Sequence, residues 1–125
     1  MAGKLVHFEV PAKDTSRAQT FYSDVFEWKF NDSGMPGIDY NLTEAGGEPG
    51  GAVYTHDEMT DHIFVYFDAD DIDASVSKVR DAGGEANDKA PIPGIGWFSH
   101  CKDTEGNAFG LFESDESAPA PEGQA

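Results

Sequence analysis

His7 and Glu9 stand two residues apart in the run LVHFEV, and a second histidine, His62, opens the comparable run HIFVYF. Side chains two apart in a strand share a face, so an imidazole and a carboxylate would emerge side by side from the first run. Such a pair can hold a cation or take a proton from a bound molecule. The other reactive groups are less well placed. His100 alternates away from Trp97 and Ser99, which suits a surface or core position. Cys101 is the single cysteine, so no intrachain disulfide forms, and with no activating base near it in sequence it reads as a buried structural thiol. The glycines between Gly46 and Gly51 lack both the Lys-Ser/Thr ending and the following helix of a phosphate-binding loop. Asp68, Asp70, Asp71 and Asp73 lack the central glycine and closing glutamate of a calcium loop, and helix capping with surface charge accounts for them.

The elements that must position these groups occur in two similar halves. Ala18, Phe21, Tyr22, Val25 and Phe26 recur at helical spacing and predict a helix over 15–28, with Asp14 or Thr15 as its cap. Ile72, Val76 and Val79 form the second stripe, with Asp70 or Asp71 as cap and Gly83-Gly84 as stop. Strand-like runs precede the helices at 5–10 and 62–67, and others follow at 28–30, 38–43 and 52–55, then at 96–101 and 107–113. His7 and His62 lie 55 residues apart, as do Gly51 and Gly106 before the last run of each half. The pattern predicts an α+β chain of two βαβββ modules in tandem, 4–56 and 57–113, within one domain over 1–113. A flexible acidic tail over 114–125 would follow. Two curved half-sheets of this kind would leave a cleft suited to a ligand.

Charge excludes several partners. Twenty-four acids against eight Lys and Arg give a net charge of −16 and a pI near 4.2. Nucleic acid and polyanionic membrane surfaces both require a basic footprint, which is missing. Residues 57–113 carry 13 acids and 4 bases, 1–56 carry 8 and 4, and the tail adds three acids, so the folded part itself is acidic. Such a surface repels itself in dilute salt, whereas at ~1 M salt the screening length falls to ~3 Å. The expected setting is the cytoplasm of a salt-accumulating halophile. The N-terminus has no signal-peptide layout and no apolar run is long enough to span a membrane.

Three stretches resemble the vicinal oxygen chelate superfamily of glyoxalase I, bleomycin-resistance proteins and extradiol dioxygenases: VHFEVPAKDTSRAQTFYSDVFEWKF at 6–30, FDADDIDASVSKVRDAGG at 67–84 and IPGIGWFSHCKDTEGNAFGLFE at 92–113. The chain is most similar to proteins described as predicted enzymes related to lactoylglutathione lyase. The resemblance implies paired modules forming a cup-shaped, curved mixed sheet around a small-molecule ligand, in a chain that works as a homodimer. In metal-dependent members one residue of the first strand and one of the fourth strand of each module hold a divalent ion. His7 and His62 match the first-strand positions and would take Zn, Ni, Co, Mn or Fe. The fourth-strand carboxylates are missing: those positions fall on Gly110 and, by the 55-residue offset, on Thr55.

Glu9 shares a face with His7 and could be a third ligand or the catalytic base, whereas His56 and Glu113 fall on the wrong face by alternation. A protein whose main role is association or stress response, its cleft vestigial, is one reading, and two others stand open beside it. One is a metal-dependent lyase, isomerase or dioxygenase using His7, His62 and Glu9. The other is a metal-free protein that sequesters a planar or aromatic molecule, as bleomycin-resistance members do. In both, Tyr40, Tyr54, Phe64, Tyr66 and Trp97 are the candidate pocket walls, and core packing is their alternative role.

Overall fold

The structure is a computed structural model that describes residues 3–35, 37–55 and 62–119. His56 lies outside the described residues. The chain divides into two compact units, one over Val6–Val65 and the other over Met1–Leu5 with Tyr66–Ala125.

The first unit carries β1 (Leu5–Ala12), α1 (Thr15–Phe26), β2 (Phe30–Asp32), β3 (Tyr40–Thr43) and β4 (Gly50–Thr55). β2, β3 and β4 form antiparallel neighbours, and β1 lies parallel to β4 on the far side from β3. Asp14 caps α1 by accepting the Arg17 N–H at 2.9 Å. The helix ends where Glu27 turns left-handed (φ 62°) and donates its N–H to the Ser23 carbonyl. The apolar stripe foreseen for α1 is present, but it does not enter a core. No residue of α1 is buried, and Phe21, Val25 and Phe26 are 56%, 54% and 56% exposed. Tyr22 instead stacks on Trp28, with centroids 5.1 Å apart and an 11° interplanar angle.

The second unit runs through the end of β5 (Phe64–Asp68), α2 (Ile72–Asp81), β6 (Glu85–Ala86), β7 (Ala90–Ile92), β8 (Gly96–Lys102) and β9 (Ala108–Ser114). β5 lies parallel to β9 and β9 antiparallel to β8, repeating the pattern of the first unit. β6 and β7 were not visible in the sequence. They are one short edge element broken at Asn87-Asp88-Lys89, and both pieces pair with β8. Residues of low strand propensity fill the break. α2 does bury its stripe: Ile72 and Val76 pack with Ala69, Cys101 and Leu111. Asp71 caps it through the Ala74 N–H, and Glu113 accepts the Ile72 N–H at 2.8 Å. Beyond β9, Asp115 accepts the Trp97 indole N–H at 3.0 Å and Ala118 is buried. Among the described residues no helix is long and apolar enough to cross a membrane.

Candidate functional site

The structure joins His7 and Glu9 through a third residue. β1 projects both side chains to one face, and the Tyr40 hydroxyl at the start of β3 meets them there. It donates to Glu9 Oε2 at 2.7 Å and lies 2.6 Å from His7 Nε2. A phenol has one proton. With that proton directed at Glu9, the short contact to His7 requires Nε2 to carry the hydrogen and donate to the phenol oxygen. Burial pushes the His7 pKa below 6.5, so the ring is neutral at neutral pH. The rings of His7 and Tyr40 are also stacked, with centroids 6.2 Å apart and a 19° interplanar angle.

Packing fixes the phenol in place. Ala52 lies beside Glu9 in the β1–β4 ladder and is fully buried, forming a small cluster with Tyr40 and Tyr54. Tyr54 sits across from Tyr40 on β4, with ring centroids 6.1 Å apart. Asp39 anchors the start of β3 by accepting from Thr15 Oγ1 (2.6 Å), Asn41 Nδ2 (2.8 Å) and Thr55 Oγ1 (3.3 Å). These bonds, that from Thr15 foremost, hold its carboxyl below the usual 3.8. A depressed carboxyl pKa stabilises the fold fully above the unfolded value and loses that effect as pH falls through the folded one. Asp39→Asn therefore lowers the melting temperature at neutral pH, and its difference from wild type closes in acid well below 3.8. A gap independent of pH would contradict this role.

The second unit carries a related pair with its residues exchanged. Tyr66 on β5 and His100 on β8 meet at 3.2 Å between the hydroxyl and Nε2, with Phe98 packed 5.2 Å from the imidazole. Alternation along β8 separates His100 from Trp97 as the sequence implied, but it puts His100 beside Tyr66 rather than in a featureless position. Trp97 belongs to the opposite face. It packs on the α2 core, is held by Asp115, and has Lys89 Nζ 4.4 Å from its ring. Phe64 is buried at the start of β5, and His62 stands exposed two residues before that strand.

Strand register changes one correspondence between the halves. In the second unit Gly110 lies beside Tyr66, four residues on from His62. Four residues on from His7 is Pro11, which lies beside Tyr54. The counterpart of Gly110 is therefore the buried Tyr54 and not the exposed Thr55. The cross-strand partners agree, because Tyr54 faces Tyr40 and Gly110 faces His100. Neither position offers a carboxylate. Among the described residues no three His, Cys, Asp or Glu side chains converge as a metal site. His7 Nε2 is already bonded to Tyr40, and Glu113 is used to cap α2. Cys101 is buried and its thiol pKa is raised by that burial, which matches a structural thiol.

The sequence and the fold are similar to those of known proteins. A family model described as the Glyoxalase/Bleomycin resistance protein/Dioxygenase superfamily matches residues 4–111. A glyoxylase-like domain-containing protein of Didymella fabae is 30% identical over 118 residues, spanning 87% of this chain and 92% of that one. The putative glyoxylase CFP32 of Mycobacterium tuberculosis is 30% identical over 115 residues, which make up 86% of this chain but 44% of that protein. This chain thus spans less than half of that relative's length. Among solved structures, methylmalonyl-CoA epimerase from Mycobacterium tuberculosis superposes with a TM-score of 0.70 at 18% identity, over 94% of this chain and 89% of that one. The hypothetical protein BH1468 from Bacillus halodurans C-125 gives 0.71 at 17%, over 94% and 99%. Together these likenesses define an α+β fold of the glyoxalase type. The chain belongs to the Glyoxalase/Bleomycin resistance protein/Dioxygenase superfamily, as a glyoxalase-like domain.

Proposed function

We propose that the chain is a small-molecule enzyme in which Glu9 moves a proton at a carbon next to a carbonyl. The His7–Tyr40–Glu9 hydrogen-bond chain carries this reading, because it places an oriented carboxylate beside two further groups able to exchange protons. Glu9 would take the carbon-bound proton and leave an enolate; return of a proton to the opposite face of that carbon would complete an epimerisation, and its delivery to the neighbouring carbon an isomerisation. An epimerase is among the chains that share the fold, and inversion at such a carbon is a proton transfer. Tyr40 would hold the carboxylate in one orientation and His7 would hold Tyr40, so both position the base.

A divalent ion held by His7 and His62 would have to displace Tyr40 from His7 and would gain no fourth-strand carboxylate. These residues do not make a complete ligand set, and no step of the proposal runs through an ion. A second reading, metal-free binding of a planar molecule, draws on the Tyr40–Tyr54 ring contact and the buried Phe64 in one unit and on Tyr66 beside His100 in the other, while Trp97 lies on the opposite face of β8 against α2. Around either chemistry we place one domain of two modules, 4–56 and 57–113, acting as a homodimer in the cytoplasm of a halophile. The acidity supports the salt-rich setting.

Deuterium exchange tests the proposal. Chelator-treated protein is incubated in D2O with 2-substituted malonyl thioesters, 2-oxo acids and hemithioacetals of 2-oxoaldehydes, and the mass of each compound is followed. Exchange into one class is expected. A thermal shift without exchange favours the binding reading. Exchange that requires added Zn, Ni, Co, Mn or Fe, with stoichiometric uptake lost in His62→Ala, favours the metal. Silence in every assay overturns the proposal.

A further inference from the structure

α1 leaves its apolar stripe outside the core, and its charges run against its own dipole. Acidic side chains favour a helix N-terminus and basic ones a C-terminus. α2 follows that rule, with Asp73 in its first turn and Lys78 and Arg80 in its last. α1 has no acid in its first turn and no base in its last, and carries Arg17 near one end and Asp24 near the other. Among the described residues neither Arg17 nor Asp24 makes a side-chain ion pair. Arg17, Phe21, Asp24 and Val25 follow helical spacing, so one face reads basic, apolar, acidic, apolar. Residues 13–29 hold three bases and three acids, a neutral stretch in a chain of net charge −16.

We propose that this face packs antiparallel against the same face of a second copy. The proposal rests on the homodimer suggested above and is independent of the chemistry of Glu9. A two-fold axis beside Thr20 and Phe21 brings Arg17 against Asp24 of the partner subunit and Lys13 against Glu27 of the partner subunit, each pair occurring twice by symmetry. A parallel arrangement would instead set Arg17 against its own copy. The apolar surface of Phe21 and Val25 closes between the pairs. An open groove of about 420 Å³ lined by Pro11, Arg17, Ala18, Phe21 and Tyr22 lies where Val25 of the partner subunit arrives. In a chain of net charge −16, contact through a stretch of zero net charge keeps repulsion between the copies low. A helix of 12 residues with none buried gains its packing partner in this way.

Sedimentation of the full chain, at the lowest KCl concentration that keeps it folded by circular dichroism, tests the interface. Wild type is expected to be a dimer. Phe21→Glu, at an exposed site, leaves the spectrum unchanged and raises the dimer dissociation constant at least about tenfold. Arg17→Asp and Asp24→Arg each give monomers alone, because each sets like charges together. Their equimolar mixture restores a dimer, since each variant supplies the charges the other needs. A dimer that survives all three variants, or a mixture that stays monomeric, overturns this interface. The first of these outcomes leaves the dimer itself standing. A monomeric wild type removes both the dimer and its face, and neither result bears on proton transfer.

Discussion

Glu9→Gln is expected to slow deuterium exchange by about 10²–10⁴-fold, the usual contribution of a positioned base. The amide oxygen of Gln can still accept from the Tyr40 hydroxyl, so the melting temperature stays near that of wild type. The fall in rate then reports loss of the proton acceptor and not of the fold. Tyr40→Phe removes the bond that orients the carboxylate and is expected to cost about 10–100-fold, in line with a hydrogen bond to a charged group. Since His7 is neutral above 6.5 and its pKa is lowered by burial, the wild-type rate stays level above that pH. It falls on the acid side, where protonation at Nδ1 leaves the Nε2 bond to the phenol in place but sets a positive charge near Glu9 and makes the carboxylate a weaker base. His7→Gln should flatten that limb while keeping a measurable rate. Full exchange activity in Glu9→Gln would sink the assignment of the base, and the same loss in a distant exposed variant would point to a general effect on folding.

Half of this constellation is legible in the sequence. Strand alternation put His7 and Glu9 on one face, because a period of two is fixed by the backbone. Tyr40 was visible only as an aromatic wall. Its role depends on β3 reaching β1 across β4, which no local pattern encodes. The same limit explains His100. Its contact with Tyr66 follows from the register that sets His100 opposite Gly110 and Gly110 beside Tyr66, and register is decided by long-range pairing. The one-residue slip from Thr55 to Tyr54 has the same origin. A fixed 55-residue offset assumes equal loops, but the two halves reach their last strands through different turns.

The elements themselves were easier to read than their surroundings. Asp14 and Asp71 cap the two helices as their positions implied, because capping is a local hydrogen bond. The stripe of α2 enters a core and that of α1 does not, although their spacing is alike. Periodicity reports that a helix has an apolar face but not what covers it. The edge pieces β6 and β7 escaped because two and three residues are too few to show alternation. Pairing with β8 supplies what their own sequence lacks.

The charge makes the last strong prediction. Raising KCl from ~0.01 M to ~1 M shortens the screening length from ~30 Å to ~3 Å, which removes most of the repulsion among surface acids. The melting temperature is expected to rise by roughly 10 °C or more, equivalent to a few kcal/mol in a domain of this size. Repulsion can be separated from binding of specific ions by deleting charge. Asp81 and Glu85 are exposed, and Asp81 adds an acid at the C-terminal end of α2, where the dipole disfavours it. Asp81→Asn with Glu85→Gln should raise the melting temperature in dilute salt and change it little at molar KCl, since screening has already done the same work there. Equal stability of wild type at both salt concentrations would remove the halophile reading. A gain in the variant that is the same at both would show that charge repulsion is not its source.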